Sequence, residues 1–399
     1  MESSLSFATQ AVHAGERGPK PDFIPVNTPI YQSASFVYDT IETMDAIFGG
    51  ERPGYVYTRY GNPTVSALER AVATLEGGET AVAYASGMAA IHAVLLALDV
   101  VSGVAVVAAQ DLYGATSTLL TTIFARQGVN VRLVDMADLE QVEAAIRELR
   151  PKVVLAEMIS NPLLKVVDLE QVAALAHAHD ATLVVDSTFT SPYLLQPLRY
   201  GADVVIHSTT KYLGGHGDVT GGIVVAPAVY RPRLEVVGRL VGGILSPHEA
   251  YLTLRGIKTL PLRVRQQCQN ALTVARWLAE HPRIRTVHYP GLEQHPGHGL
   301  ATRLLRQGCF GAVLSFELVD GERARVFAFL NRLRLCLLAT TLGDIYTELL
   351  YPAMSSHRML TPEQRAAVGI SDALIRLSAG IEDAQDLIAD LDQALRNAS

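Results

Sequence analysis

The sequence predicts an α/β protein: a large, mainly parallel β-sheet domain covered by helices on both faces, and a smaller α+β domain at the C-terminal end. Three observations carry that expectation. Short apolar runs rich in Val and Ile recur through residues 61–250, at 104–109, 129–134, 152–156, 182–185, 203–206 and 222–226. Amphipathic stretches such as 138–149 and 169–179 lie between most of them, and this alternation is what a covered parallel sheet requires. Beyond about residue 250 longer helical segments take over and strands become fewer.

Residues 1–60 are rich in Pro, Tyr and Gly and show little periodicity. They read as an arm that packs on something else, a neighbouring subunit for example. Residues 61–250 form the large domain. Within it, 89–109 is the most apolar region, but His92, Asp99, Ser102 and Gly103 interrupt it. A membrane span needs about 20 largely uninterrupted apolar residues, so a helix followed by a buried strand is expected. In the C-terminal domain, 251–399, residues 259–281 read as a helix and 312–318 alternate like a strand. Residues 383–397 make an acidic-then-basic terminal helix.

Composition narrows the function classes. The 399 residues carry 33 basic and 40 acidic side chains, a formal charge of -7. That balance, with no basic run, argues against nucleic acid or an anionic membrane as partner, since both reward clustered Lys and Arg. Cys268, Cys309 and Cys336 form no CxxC and cannot all pair within one chain. With an N-terminus, MESSLSFATQ, that lacks the basic start and apolar stretch of a signal peptide, a reducing cytoplasm is expected. His295 and His298 share a Pro-Gly turn, but two histidines fall short of a catalytic zinc set, and no metal is expected.

The chemistry gathers at strand ends. Asp186 closes the apolar run TLVVD, and DVVIH runs into Ser208-Thr209-Thr210-Lys211 and the Gly-rich GGHGDVTGG. In an open α/β sheet, ligands bind at the carboxyl ends of the strands. Pyridoxal 5′-phosphate (PLP) needs an amine to bind its aldehyde, an acid beside its ring nitrogen, a phosphate cradle and a flat stacking surface. Lys211 offers the amine, Asp186 the acid, and the hydroxyls of Ser208 and Thr210 two phosphate donors. Taken singly, Asp186 reads as readily as a cap after a strand; the joint arrangement tips the balance. A second cluster, Tyr84 to Ala90, turns from strand to helix through Ser86-Gly87-Met88. Helix-start N–H groups attract anions and Gly87 permits close approach, although Ser86 also reads as a plain N-cap. Tyr113, in DLYGAT, is a stacking candidate or a core aromatic. GGHGDVTGG lacks the GK[ST] ending of a Walker sequence.

The segments 55–98, SNPLL at 160–164, VVDSTF at 184–189, HSTTKYLGGHGD at 207–218, LSPHEAYLTLRGIKTLPLR at 245–263 and GISDALIRLSAGIED at 369–383 resemble the Cys/Met-metabolism PLP enzymes. That family includes cystathionine γ-synthase, cystathionine γ- and β-lyases, methionine γ-lyase and O-acetylhomoserine sulfhydrylase. The resemblance covers essentially the whole chain and implies the aspartate aminotransferase fold, fold type I of the PLP-dependent transferases. It implies that Lys211 holds the cofactor, Asp186 pairs with the ring nitrogen, Tyr113 stacks on the ring and Asn161 bonds its phenolic oxygen. Ser86, Gly87, Met88, Ser208 and Thr210 would hold the phosphate, reached from a neighbouring subunit by Tyr57 and Arg59. Arg376, suited by its planar fork to a carboxylate, would bind the substrate, with Thr341 and Tyr57 beside it. A homotetramer, built as a dimer of dimers with shared active sites, is implied.

The same resemblance points to γ-elimination on a sulfur amino acid, of the methionine γ-lyase or cystathionine γ-lyase type, with methionine, homocysteine or a close analogue as the leading substrates and 2-oxobutyrate, ammonia and a thiol as products. The alternative is a γ-replacement transferase joining a thiol or sulfide to an activated homoserine ester; a remote one is a catalytically inactive binding protein. LGD at 342–344 leans toward the methionine lyases and sulfhydrylases, whereas Ala115 and Gly238-Arg239 depart from the methionine lyases. Thr340 stands where cystathionine enzymes carry a Glu. Further departures are Glu157-Met158-Ile159 for the family's ETP, Thr341 for a serine, and the run Tyr351 to His357. Tyr346 and Tyr351 are candidates for bulk at the distal end of the substrate, or for core packing.

Overall fold

The computed structural model describes residues 5–15, 24–319, 321–355, 358 and 361–397. Ser356 and His357, in the run where the sequence departs from its relatives, lie outside the described residues, as does Met1–Ser4 of the N-terminal stretch.

Seven strands make the larger sheet: β1 (Thr80–Tyr84), β2 (Ala105–Ala109), β3 (Asn130–Val134), β4 (Val153–Glu157), β5 (Thr182–Asp186), β6 (Val204–Ser208) and β7 (Gly222–Ala226). Their order across the sheet is β1-β7-β6-β5-β4-β2-β3. β2 through β6 run parallel to one another, whereas β7 is antiparallel to both β1 and β6. The expectation of a mainly parallel sheet therefore holds with one reversed strand. The reversal has a local cause: the chain turns back directly after β6 through the loop 209–221, which forms the tight Gly-rich turn at Lys211 and contains no crossover helix.

β4 and β7 are buried along their whole length, as expected of strands covered on both faces. Val153, Val154, Leu155 and Ala156 in β4 meet Leu183, Val184 and Val185 of β5 inside one continuous core. Burying each such side chain is worth roughly 1.5–3 kcal/mol for Val or Leu. The helix Gly87–Ala97 follows β1 as expected, and its nearly all-apolar sequence is explained by burial against β6 and β7.

The C-terminal region carries more strand than its sequence suggests. A second sheet is ordered β10-β11-β12-β9-β8, from β8 (Ile284–His288), β9 (Val313–Leu318), β10 (Leu337–Leu338), β11 (Glu348–Leu350) and β12 (Leu374–Ser378). The alternation at 312–318 marks β9; β10 and β11 are two and three residues long, too short for periodicity to reveal. The helix Leu260–Glu280 spans both regions. Its Cys268 belongs to the core of the first sheet, and its Ala271, Val274 and Leu278 to that of the second. The terminal helix Ala384–Asn397 covers this second core with Leu387, Leu391 and Leu395. Within residues 1–60, two short helices form, Phe7–His13 and Ile41–Phe48, the second with no buried residue. Among the described residues no helix is long and apolar enough to cross a membrane.

Candidate active site

The carboxyl ends of β4, β5 and β6 open into a cavity of about 260 Å³. Its wall brings together Ser86, Gly87, Met88, Tyr113, Asn161, Asp186, Ser208, Thr210, Lys211 and Arg376. All ten were singled out in the sequence, and they come from six separate stretches of chain.

Lys211 sits in the tight turn after β6. Gly214 N–H donates to Thr209 O at 2.8 Å and Gly215 N–H to Lys211 O at 2.7 Å. Gly215 adopts φ +70, and a Cβ there would run into the Arg263 guanidinium. That guanidinium donates to Tyr212 O at 2.9 Å and to Gly256 O at 2.8 Å, so it braces the turn from below. The Lys211 amine donates from Nζ to Thr341 Oγ1 at 2.8 Å. Burial and the nearby Arg376 charge pull the Lys211 amine below its ordinary pKa, against the charges of Asp344 and Glu348.

Asp186 ends β5, and its Oδ1 accepts the Thr188 N–H at 2.9 Å. Burial pushes its carboxyl up, opposed by Thr188 and by the charge of His207. Thr188 also accepts the Ser208 N–H at 2.9 Å, which ties the end of β6 to the turn after β5. Across the cavity, Ser86 caps the helix Gly87–Ala97, accepting the Ala89 N–H at 3.1 Å. The first N–H groups of a helix have no intrahelical acceptor, and they form an anion site. Ser86 is thus both the cap and part of the cavity wall. The Thr210 hydroxyl accepts the Gly221 N–H at 3.0 Å.

Tyr113 is half exposed at the mouth, and its N–H donates to Glu157 Oε1 at 2.6 Å. Arg376, on β12, reaches in from the second sheet. It is buried, with Nη2 on Thr341 O at 2.8 Å and Nη1 on Asn161 Oδ1 at 3.4 Å. Its Nε has no partner among the described residues. Burial depresses it to about 10, still far above neutrality. Thr341 therefore links the two cationic side chains, one through its hydroxyl and one through its carbonyl.

Tyr57 and Arg59 do not join this cavity. Arg59 donates to Arg239 O at 2.9 Å and lies over the Tyr60 ring at 5.0 Å, while Tyr57 is exposed. Neither distal tyrosine lines the cavity. Tyr351 is buried in the second core, its hydroxyl donating to Asp372 O at 2.9 Å, so it is core packing. Tyr346 is half exposed. The His216 ring meets Gly214 O at 2.8 Å and stabilises its own loop. Sequence reasoning gave no role to Thr188, and it noted Glu157 only as the start of a divergent tripeptide. Their signal was position: each is at or just beyond a strand's carboxyl end.

A family model for the Cys/Met metabolism PLP-dependent enzymes matches residues 8–396. The chain is 44% identical over 392 residues to an L-methionine gamma-lyase of Fusobacterium nucleatum subsp. polymorphum, covering 98% of each. It is 43% identical to a cystathionine gamma-lyase of Bacillus subtilis (strain 168), covering 98% of this chain and 99% of the relative. Its fold superposes with a TM-score of 0.92 on the crystal structure of cystathionine gamma synthase from Xanthomonas oryzae pv. oryzae in complex with cystathionine, at 41% identity and 99% coverage of both chains. A match of that extent and a cavity assembled from the same motifs lead to one placement: the chain belongs to the Cys/Met metabolism family of PLP-dependent enzymes.

Proposed function

We propose that the protein catalyses γ-elimination on methionine, homocysteine or a close analogue, releasing 2-oxobutyrate, ammonia and a thiol. The donor set fits the cofactor. An amine, Lys211, and a carboxyl, Asp186, stand on neighbouring stretches of one wall. Hydroxyls of Ser208 and Thr210 and the helix start at Gly87 suit a phosphate. A Cβ added at Gly87 would stand 3.1 Å from that of Ser208, so glycine keeps this cradle open.

When bound, PLP supplies a sink for the electrons left as protons leave the substrate carbons. The remaining work falls to the protein. Lys211, its pKa lowered by burial and by Arg376, takes a proton from the substrate's α-carbon and moves it on; Thr341 Oγ1 orients the amine. Asp186 would hold a proton at the ring nitrogen, Asn161 would bond the phenolic oxygen, and Tyr113 would cover the ring and protonate the departing sulfur. Arg376 clamps the substrate carboxylate with its fork, keeping the α-carbon beside Lys211. General acid–base steps of this kind typically contribute on the order of 10²–10⁴-fold each.

The observation that carries a methionine-like substrate is the cavity's lining. Beyond the residues given tasks above, and Glu157 at the end of β4, it is made by uncharged side chains such as Ile91, Ile159, Phe189, Thr340 and Leu342, which offer nothing to pair with the second ammonium group of cystathionine. Tyr57 and Arg59 lie outside their own chain's cavity, and Val37 of the same arm is 97% exposed. Both features support an assembly in which residues 1–60 contact a neighbouring subunit, with Tyr57 and Arg59 completing its phosphate and substrate sites in a dimer of dimers. The boundaries we assign are 61–250 for the cofactor-binding domain and 251–399 for the C-terminal one. The test is a substrate panel. 2-Oxobutyrate from L-methionine alone supports the lyase; turnover of O-acetyl- or O-succinylhomoserine only with added sulfide supports the transferase.

A further inference from the structure

Among the charged-type side chains lining the cavity, Glu157 is left without a task by the chemistry above. It ends β4 as the register partner of Asp186 at the end of β5. Neighbouring strands lie about 4.8 Å apart, and register partners point to the same face. Two carboxyl groups therefore stand side by side at the floor of one cavity. Glu157 is buried, and its Oε1 accepts the Tyr113 N–H at 2.6 Å. No basic side chain pairs with it among the described residues.

Two adjacent buried carboxylates do not both ionise readily, because each charge disfavours the other. The neighbours decide which one keeps the charge. Asp186 has the Thr188 N–H at 2.9 Å and the nearby His207. Glu157 has one backbone N–H, the charge of Asp186 beside it and, from just beyond β2, the further negative charge of Asp111, which itself lies 4.0 Å from Lys165. We infer that Glu157 is a positioning residue: a neutral acid beside ionised Asp186, fixing Tyr113 over the cofactor ring through the Tyr113 backbone N–H. Burial first, then the Asp186 charge, push the Glu157 carboxyl well above the usual range, in agreement with this assignment. A neutral Glu157 leaves Asp186 as the charged carboxylate of the pair to face the ring nitrogen, and it anchors the stacking tyrosine without adding a second charge beside it.

The inference rests on the reading that this cavity holds PLP, and the test separates the two. Glu157→Gln and Glu157→Ala would be prepared as holoenzymes and compared with the wild type by the visible absorption and circular dichroism of the bound cofactor as pH is varied. Glutamine keeps the acceptor oxygen and carries no charge, so the pH midpoint of the visible band should stay within about 0.3 unit of the wild type. Were Glu157 ionised, deleting its charge would lower that midpoint by about one unit, even if the charges were roughly 10 Å apart at an effective dielectric near 20. Alanine should reduce the visible dichroism and lower kcat by on the order of ten- to a hundredfold through misplacement of Tyr113; glutamine should restore the dichroism. A lowered midpoint in Glu157→Gln, or an alanine variant with wild-type dichroism and kcat, overturns the inference. If the alanine variant does not fold, the glutamine midpoint decides alone. Absence of a visible band in the reconstituted wild type overturns the cofactor reading itself.

Discussion

Thr341→Val exchanges one hydroxyl for a methyl group beside Lys211. The hydroxyl that accepts the Lys211 Nζ bond at 2.8 Å disappears, while shape and the backbone carbonyl that Arg376 holds at 2.8 Å remain. The size of the loss depends on the amine's charge. A hydrogen bond between neutral groups is worth about 0.5–1.5 kcal/mol, whereas one to a charged group is worth about 1.5–3 kcal/mol. At 1.36 kcal/mol per decade these become roughly 2- to 13-fold and 13- to 160-fold in rate. A group that takes a proton from the substrate must act as the neutral amine, so kcat should fall by the smaller factor. KM for L-methionine should change by less than about twofold, because the carboxylate clamp is untouched. Steady-state release of 2-oxobutyrate measures both constants, and Thr341→Ser should restore kcat. A valine variant with wild-type kcat, or one whose KM rises at constant kcat, refutes the reasoning.

Arg376→Lys keeps a charge but loses the fork, so kcat/KM for methionine should drop by roughly 10- to 150-fold. Methionine amide, which lacks the carboxylate, should lose far less; equal losses for both substrates would argue against a carboxylate clamp. Gly222→Ala drives a methyl group into the Ser86 carbonyl and the Gly87 nitrogen, both backbone atoms at the start of the helix Gly87–Ala97, proposed above as the phosphate cradle. Cofactor affinity should fall at least about tenfold, measured by equilibrium dialysis of PLP, with unchanged affinity as the contrary result. Glu348 is buried, and its carboxyl is raised to about 7 by burial first and by the charge of Asp344 next. A raised carboxyl stabilises the fold below its unfolded pKa, and that stability is lost as pH rises through about 7. Glu348→Gln should therefore gain on the wild type in urea midpoint between pH 5 and 8, by on the order of 2 kcal/mol at the upper end; parallel curves would contradict this.

Much of the sheet was legible because buried parallel strands are written as unbroken apolar runs, and 104–109, 182–185 and 222–226 fall on β2, β5 and β7 within a residue at each end. The direction of β7 was not, since pairing direction depends on how the chain returns and leaves no mark on an all-buried strand. β10 and β11 escaped for the opposite reason: strands of two and three residues show no period. The site was legible where chemistry demands rare combinations. Lys211 after three hydroxyl residues and before a glycine run, with Asp186 on the preceding strand, has few other uses. Thr188 and Glu157 were opaque because their importance comes from register and from backbone N–H partners, which composition does not encode. The resemblance carried the role of Arg376, more than 150 residues from Lys211; folding supplied the contact through Thr341.

The most direct test of γ-elimination by Lys211 is proton NMR of L-methionine incubated with holoenzyme in D₂O. The wild type should exchange the α-hydrogen, label the β-carbon and release deuterated 2-oxobutyrate. Lys211→Ala, reconstituted with PLP, should bind methionine and exchange neither position at a comparable rate. Undiminished α-exchange in Lys211→Ala would assign the proton transfer to another group, and wild-type enzyme that exchanges methionine without ever labelling its β-carbon or releasing the oxo acid would contradict γ-elimination.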